Sequence, residues 1–302
     1  MLELARIFLE VLGPVVLIVA GGFIAGRRLD LEAATLAKLA YWILGPVFIY
    51  DILANAEMSA GLVARLVGAT LATMAVTGGL VALGGRLAGR PFSVVSAGLL
   101  TSVYGNVGNF GLAIVVFSFG ESALPVAGVV LLAVNGVGLI VGVTAAGAQT
   151  LSPLAAVRRA LLAPMTLAVI PAVVVNTGDV TLPIWLERPI SLVAGALIPV
   201  VLLTLGVQLA GMRRPRVGRD VMAPVAGKLV VSPLVATGAV TVLGLTGTAA
   251  GVLVLQLAMP AAVFAALIAI EHDHEADLVT TTVMVGTILS VVTLPVVISL
   301  VT

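Results

Sequence analysis

The chain has no cysteine, which excludes disulfides and thiolate-bound metals and leaves the redox compartment unmarked. Charge is scarce. Asp, Glu, Lys and Arg make up 10% of 302 residues, against about a quarter in an ordinary soluble domain. The charges nearly cancel, at a net +1, and no basic cluster forms, so nucleic acid is not an expected partner. Enzyme signatures are missing too. There is no Gly-rich phosphate loop with its Lys, no HExxH and no Ser/His/Asp arrangement. Neither an ATP-driven pump nor an enzyme is expected. No cofactor is expected beyond a coupling proton or sodium ion.

Apolar residues fill the space, at 61% of the chain. Their runs are long and lack the alternation of a membrane β-barrel. The fold class is therefore an all-α membrane protein. Ten transmembrane helices can be drawn near 5–26, 34–55, 62–85, 92–119, 123–147, 160–177, 189–210, 219–244, 248–271 and 277–301. The first run follows Glu3, Arg6 and Glu10 and is read as a membrane helix, not a cleavable leader. Arg27, Arg28, Arg86, Arg90, Arg158, Arg159, Arg213, Arg214, Arg216 and Arg219 all fall in odd-numbered connections. The positive-inside rule places those connections in the cytoplasm and both termini outside. A multi-pass plasma-membrane protein, in a bacterial inner membrane, is expected.

Five helices per half make an inverted repeat. Residues 1–147 form the first repeat, 148–159 a short cytoplasmic connection, and 160–302 the second. Leu44-Gly45-Pro46-Val47 matches Leu197-Ile198-Pro199-Val200, and Ala97-Gly98-Leu99-Leu100 matches Ala250-Gly251-Val252-Leu253, both at an offset of 153. At that offset Val107 falls opposite Pro260.

The fourth span carries the sharpest signal: Tyr104-Gly105-Asn106-Val107-Gly108-Asn109-Phe110-Gly111 in mid-membrane. Gly and Asn are poor helix formers, and lipid cannot satisfy the backbone groups they free. A break there is tolerable beside a cavity, as in transporters whose interrupted helices hold substrate. A half-helix starting near Gly111 would aim free N–H groups and its positive dipole end into the site. With the amides of Asn106 and Asn109, this suits a carboxylate. Close helix packing is the alternative use of such residues.

In the ninth span Pro260 breaks the ladder, with Gln256, Met259 and Phe264 around it. Gln256 could bind substrate or a coupling ion, or be satisfied by a neighbouring helix. Asp51, near the outer end of the second span, and Gln208, near the corresponding end of the seventh, are further coupling-ion candidates, and Asp51 can equally be solvated. Pro46 and Pro199 kink the second and seventh spans, as hinges or as packing features. Lys228 lies eight residues beyond Asp220. It is expected to snorkel to the cytoplasm, with attraction of an anionic substrate as the alternative. Glu271-His272-Asp273-His274-Glu275 is expected to be a solvated acidic turn and not a metal site.

Four segments carry a resemblance: GNVGNFGLAIVVFSFGESAL, IPVVLLTLGVQLAG, LVLQLAMPAAVFAALIA and TTTVMVGTILSVVTLPVVISL. In order and spacing they resemble the auxin efflux carrier family in its bacterial form, within the fold shared with sodium–bile acid symporters. The resemblance implies two inverted five-helix repeats, with a scaffold part and a transport part drawn from both. It implies that the fourth and ninth helices cross at their breaks, and that the substrates are organic anions. Carried over by residue, it points to Asn106, Asn109 and Pro260. Plant members tend to have an asparagine shortly after that proline. This chain has Ala261, Ala262, Val263 and Phe264, which argues against auxin itself.

The expected function is alternating-access transport of a small organic anion. The substrate residues would be Tyr104, Asn106, Gly108, Asn109, Gly111, Met259, Pro260 and Phe264, with Gly105, Pro260, Pro46 and Pro199 as breaks or hinges. Sodium-coupled symport of a larger amphipathic acid is the alternative. A non-transporting receptor is the remote one. The lipid bilayer and the anion are the expected partners, and a homodimer is the candidate assembly.

Overall fold

The computed structural model describes residues 2–146, 153–178, 180–211 and 217–302. Residues 148–152 of the expected connection lie outside these, as do Arg213, Arg214 and Arg216. All the regular elements among the described residues are helices. Seven are long and apolar enough to cross a bilayer: Phe8–Arg28, Ala33–Ala54, Ala60–Leu87, Glu121–Val141, Ile184–Gly211, Arg219–Val242 and Ala276–Val301. An eighth span is a pair, Leu154–Leu161 and Pro164–Thr177, bent by 49°. The expected fourth and ninth spans are each two short helices, Phe92–Val103 with Val107–Phe119 and Gly247–Leu257 with Val263–Glu271. The expected seventh span starts earlier than its sequence suggests. Pro183 caps it, so Glu187, Arg188 and Pro189 lie inside the helix. Large apolar side chains left exposed, such as Leu17, Leu83, Leu192 and Leu300, suit lipid and not water.

Proline shapes several helices in one recurring way. Phe8–Leu12, Ala40–Leu44 and Gly227–Val231 are widened π-turns, each followed two residues later by Pro14, Pro46 or Pro233. A proline ring collides with the carbonyl four residues back. Widening the turn relieves that collision, and the preceding N–H bonds five residues back instead, as Gly45 does to Ala40. The deformation expected at Pro46 therefore takes the form of a π-turn. Pro199 lies in the first turn of Leu197–Gly211, where a missing N–H costs little.

The helices pack as two groups. In one, Phe8–Arg28 lies along Leu197–Gly211, and Gly45–Ala54 lies against Pro164–Thr177 and Ile184–Gly195. Gly22 and Gly206 let the first pair touch backbone to backbone: a Cβ on Gly206 would overlap the Val19 carbonyl. The other group gathers Ala60–Leu87, Arg219–Val242, Ala276–Val301 and both broken helices. Leu124–Ala146 packs against the second group and touches the first.

Contacts also sort the connections by end. Arg90 pairs with Asp220 at 2.7 Å, joining the third and seventh connections. At the opposite end, Asn176 donates to the carbonyls of Ala54 and Ala56, and Arg65 donates to Gly244. In the expected numbering, these contacts join odd connections to odd ones and even to even.

Candidate functional site

The two interruptions meet. Phe92–Val103 ends at an extended Tyr104, and the chain stays non-helical through Gly105 and Asn106 before helix resumes at Val107. In the other half the helix ends at Leu257. Pro260 supplies no N–H and disfavours helix in the residue before it. The two extended pieces then form an antiparallel bridge between Gly105 and Ala261. Asn106 N–H donates to the Pro260 carbonyl at 2.7 Å, and Ala262 N–H donates to the Tyr104 carbonyl at 2.8 Å. Each break thus satisfies backbone groups that the other frees, where lipid could satisfy neither.

The second half-helix starts at Val107, four residues before the expected Gly111. Asn106 closes its first turn, its carbonyl accepting from Gly111 at 3.0 Å. The N–H groups of Val107, Gly108 and Asn109 form the open positive end.

A cavity of about 160 Å³ lies beside the crossing, between the two packing groups. Of the expected substrate residues, Tyr104, Asn106, Gly108, Asn109 and Phe264 line it, and so does Gly105. Tyr104 and Phe264 meet edge-on, with ring centroids 6.1 Å apart. Gly111, Met259 and Pro260 do not line it. Gly111 is buried against Gln256, Met259 is wholly buried, and Pro260 is occupied by the bridge. Among the coupling-ion candidates only Gln208 reaches the cavity. Asp51 instead accepts a hydrogen bond from Ser191 at 2.9 Å. Gln256 is buried behind the crossing. Pro46 and Pro199 lie outside the lining, although Ala40 and Tyr41 of the π-turn before Pro46 are part of it.

Asn135, Tyr41 and Thr204 also line the cavity. Asn135 was legible: it is the one polar side chain in Leu131-Leu132-Ala133-Val134-Asn135-Gly136-Val137, and a lone amide at membrane depth is a functional candidate. No side chain among the described lining residues carries a formal charge. Its polar content is amide, hydroxyl and backbone. Asn106 is 3% exposed, and its Nδ2 has no acceptor among the described residues; Gln208 Oε1 likewise has no donor. Buried groups in this condition are unusual and costly, and Gln256 behind the crossing shares it.

Two expectations are overturned nearby. Lys228 does not snorkel. It is 2% exposed and turned inward, its Nζ donating to the Leu257 carbonyl at 3.2 Å. The acidic turn is not merely solvated. Glu275 accepts from Ser93 Oγ at 2.6 Å, and His274 Nε2 lies 2.8 Å from Ser96 Oγ. Partial burial lowers the His274 pKa below the ordinary imidazole value, opposed by Glu275 and reinforced by His272.

Apolar helices of spanning length, two interrupted helices bridged at their breaks, and a neutral cavity between two packing groups define a multi-pass membrane protein built around a central site. Residues 151–298, just under half of the chain, match the family described as membrane transport protein, which is the auxin efflux carrier family of the sequence resemblance. The chain is also similar to an uncharacterized transporter of Methanothermobacter thermautotrophicus, with 37% identity over 102 residues. That similarity spans 34% of this chain and 34% of that protein. Both matches are described as transport proteins.

Proposed function

We propose that the protein is a secondary transporter of a small organic anion working by alternating access. The observation that carries this is the buried, unpartnered Asn106 Nδ2 at the open N-terminal end of Val107–Phe119, in a cavity between two packing groups. A carboxylate there would accept from Asn106, Asn109 and the first-turn N–H groups. Tyr104, Phe264 and Leu267 give the rest of the cavity an apolar wall for the body of the acid. With no fixed cation in the lining, affinity would rest on these neutral donors.

Ten spans in two inverted repeats would follow from counting each interrupted pair as one span. Breaks at Tyr104–Asn106 and 258–262, close to the 153 offset, support that count. The group holding the crossing would be the transport part and the other the scaffold. The cavity at their boundary is where sliding would change access. The basic odd connections would face the cytoplasm.

The test is a thermal-shift screen of the purified protein against carboxylates, followed by uptake in proteoliposomes. One acid should stabilise the protein saturably, and Asn106→Ala with Asn109→Ala should abolish both that shift and uptake. Unchanged affinity and uptake of every acid in the double variant would refute the assignment.

A further inference from the structure

The crossing contains a buried lysine. Lys228 lies in the π-turn Gly227–Val231 and is the largest fully buried side chain among the described residues. Its hydrogen bond goes to the carbonyl of Leu257, the last residue of Gly247–Leu257. In an unbroken helix that carbonyl would accept from residue 261, but Ala261 is drawn into the bridge. Ser232 Oγ donates to the same oxygen at 2.8 Å. On its other side Lys228 touches the first break: a Cβ on Gly105 would lie 2.9 Å from Nζ and 3.0 Å from Cε. Glycine at position 105 leaves the room that the ammonium occupies.

Two helices end here, Phe92–Val103 and Gly247–Leu257, and both direct their carbonyl ends at this point. Each such end carries roughly half a negative charge. Together they are worth about one unit, the charge of one ammonium. No carboxylate pairs with Lys228 among the described residues. A freed carbonyl, a serine hydroxyl and two helix C-termini are oxygen-rich surroundings of the kind that hold a sodium ion where transporter helices unwind.

We propose that the protonated amine of Lys228 is a tethered cation standing in the place of a free coupling ion at the crossing, so that the protein binds and carries its substrate without sodium. The inference deepens the transporter assignment and rests on it for the meaning of "coupling". The occupancy of the site can be tested without substrate.

The test has a wild-type arm and a variant arm, both read by thermal unfolding of the purified protein without substrate. Replacing sodium chloride by choline chloride at constant ionic strength should leave the wild-type Tm unchanged. Lys228→Ala empties the position. Its Tm should be lower and should rise saturably with methylammonium or sodium but not with choline. Lys228→Met, similar in length but uncharged, should not recover the loss. A saturable gain in wild-type Tm with sodium overturns the proposal. So does a Lys228→Met variant as stable as wild type, or a folded Lys228→Ala variant blind to small cations. If Lys228→Ala does not fold, the wild-type arm still decides. A transport failure with these results intact would refute the function and not the tethered cation. For any acid the wild type does transport, uptake should be equal in sodium and choline media.

Discussion

Gln256 supplies the most direct test of the energetics around the crossing. It is fully buried, and neither Oε1 nor Nε2 has a partner among the described residues. A buried polar group without its hydrogen bond costs about 1–3 kcal/mol. Methionine at this position keeps the unbranched shape and removes both polar atoms. At the low end of that range the two groups together give a gain of about 2 kcal/mol. Refitting the terminal methyl beside Gly111, where a Cβ would overlap this side chain, offsets about 1 kcal/mol. Gln256→Met should therefore be more stable by about 1 kcal/mol, which for a chain of this size raises Tm by about 2–3 °C. Thermal unfolding in detergent, followed by the fluorescence of Trp42 and Trp185, measures it. A lower Tm would mean that the amide is satisfied by water or an ion, and the reasoning from burial would fail.

Further outcomes follow from the same geometry. Gly105→Val should destabilise by pressing on Lys228, and the Gly105→Val/Lys228→Ala double variant should lose less than the sum, by about 1 kcal/mol; simple additivity would show that the contact carries nothing. Because burial holds His274 below 6.5, its contribution is fully present above that pH and is lost as pH falls through the depressed value. Wild-type Tm should therefore drop between about pH 7.5 and about pH 5 by more than that of His274→Asn, and equal drops would remove His274 from the account. The Arg90–Asp220 pair is about two-fifths exposed at both ends, so Arg90→Ala should cost under about 1 kcal/mol and less in high salt, as unfolding at two ionic strengths would show.

The break in the fourth span was readable because glycine and asparagine at membrane depth have few other uses. Its partner was readable because proline fixes where the ninth helix must stop. Where the half-helix resumes was not. Val107 and Gly108 are weak helix formers, yet a turn closed on the Asn106 carbonyl accepts them. Lys228 shows a sharper limit. A lysine a few turns from a helix end can bend outward or fold inward, and the choice depends on carbonyls freed 29 residues away in the chain. The acidic turn was misjudged for a related reason. Asp273 and Glu275 adopt positive φ, which folds the turn back onto Ser93 and Ser96, and nothing in its composition announces that.

The bridge between the breaks has a mechanical consequence. Parting the two strands would leave the buried N–H groups of Asn106 and Ala262, with their acceptor carbonyls, without protein partners. Each exposed group would cost several kcal/mol. Neither broken helix can then advance while the other waits. In the proposed cycle they would travel as one piece, with no stage at which half the crossing has moved. Slippage, in which one side loosens before the other has closed, is suppressed by two backbone hydrogen bonds rather than by any side chain, so it should resist mutation of the cavity that the piece carries.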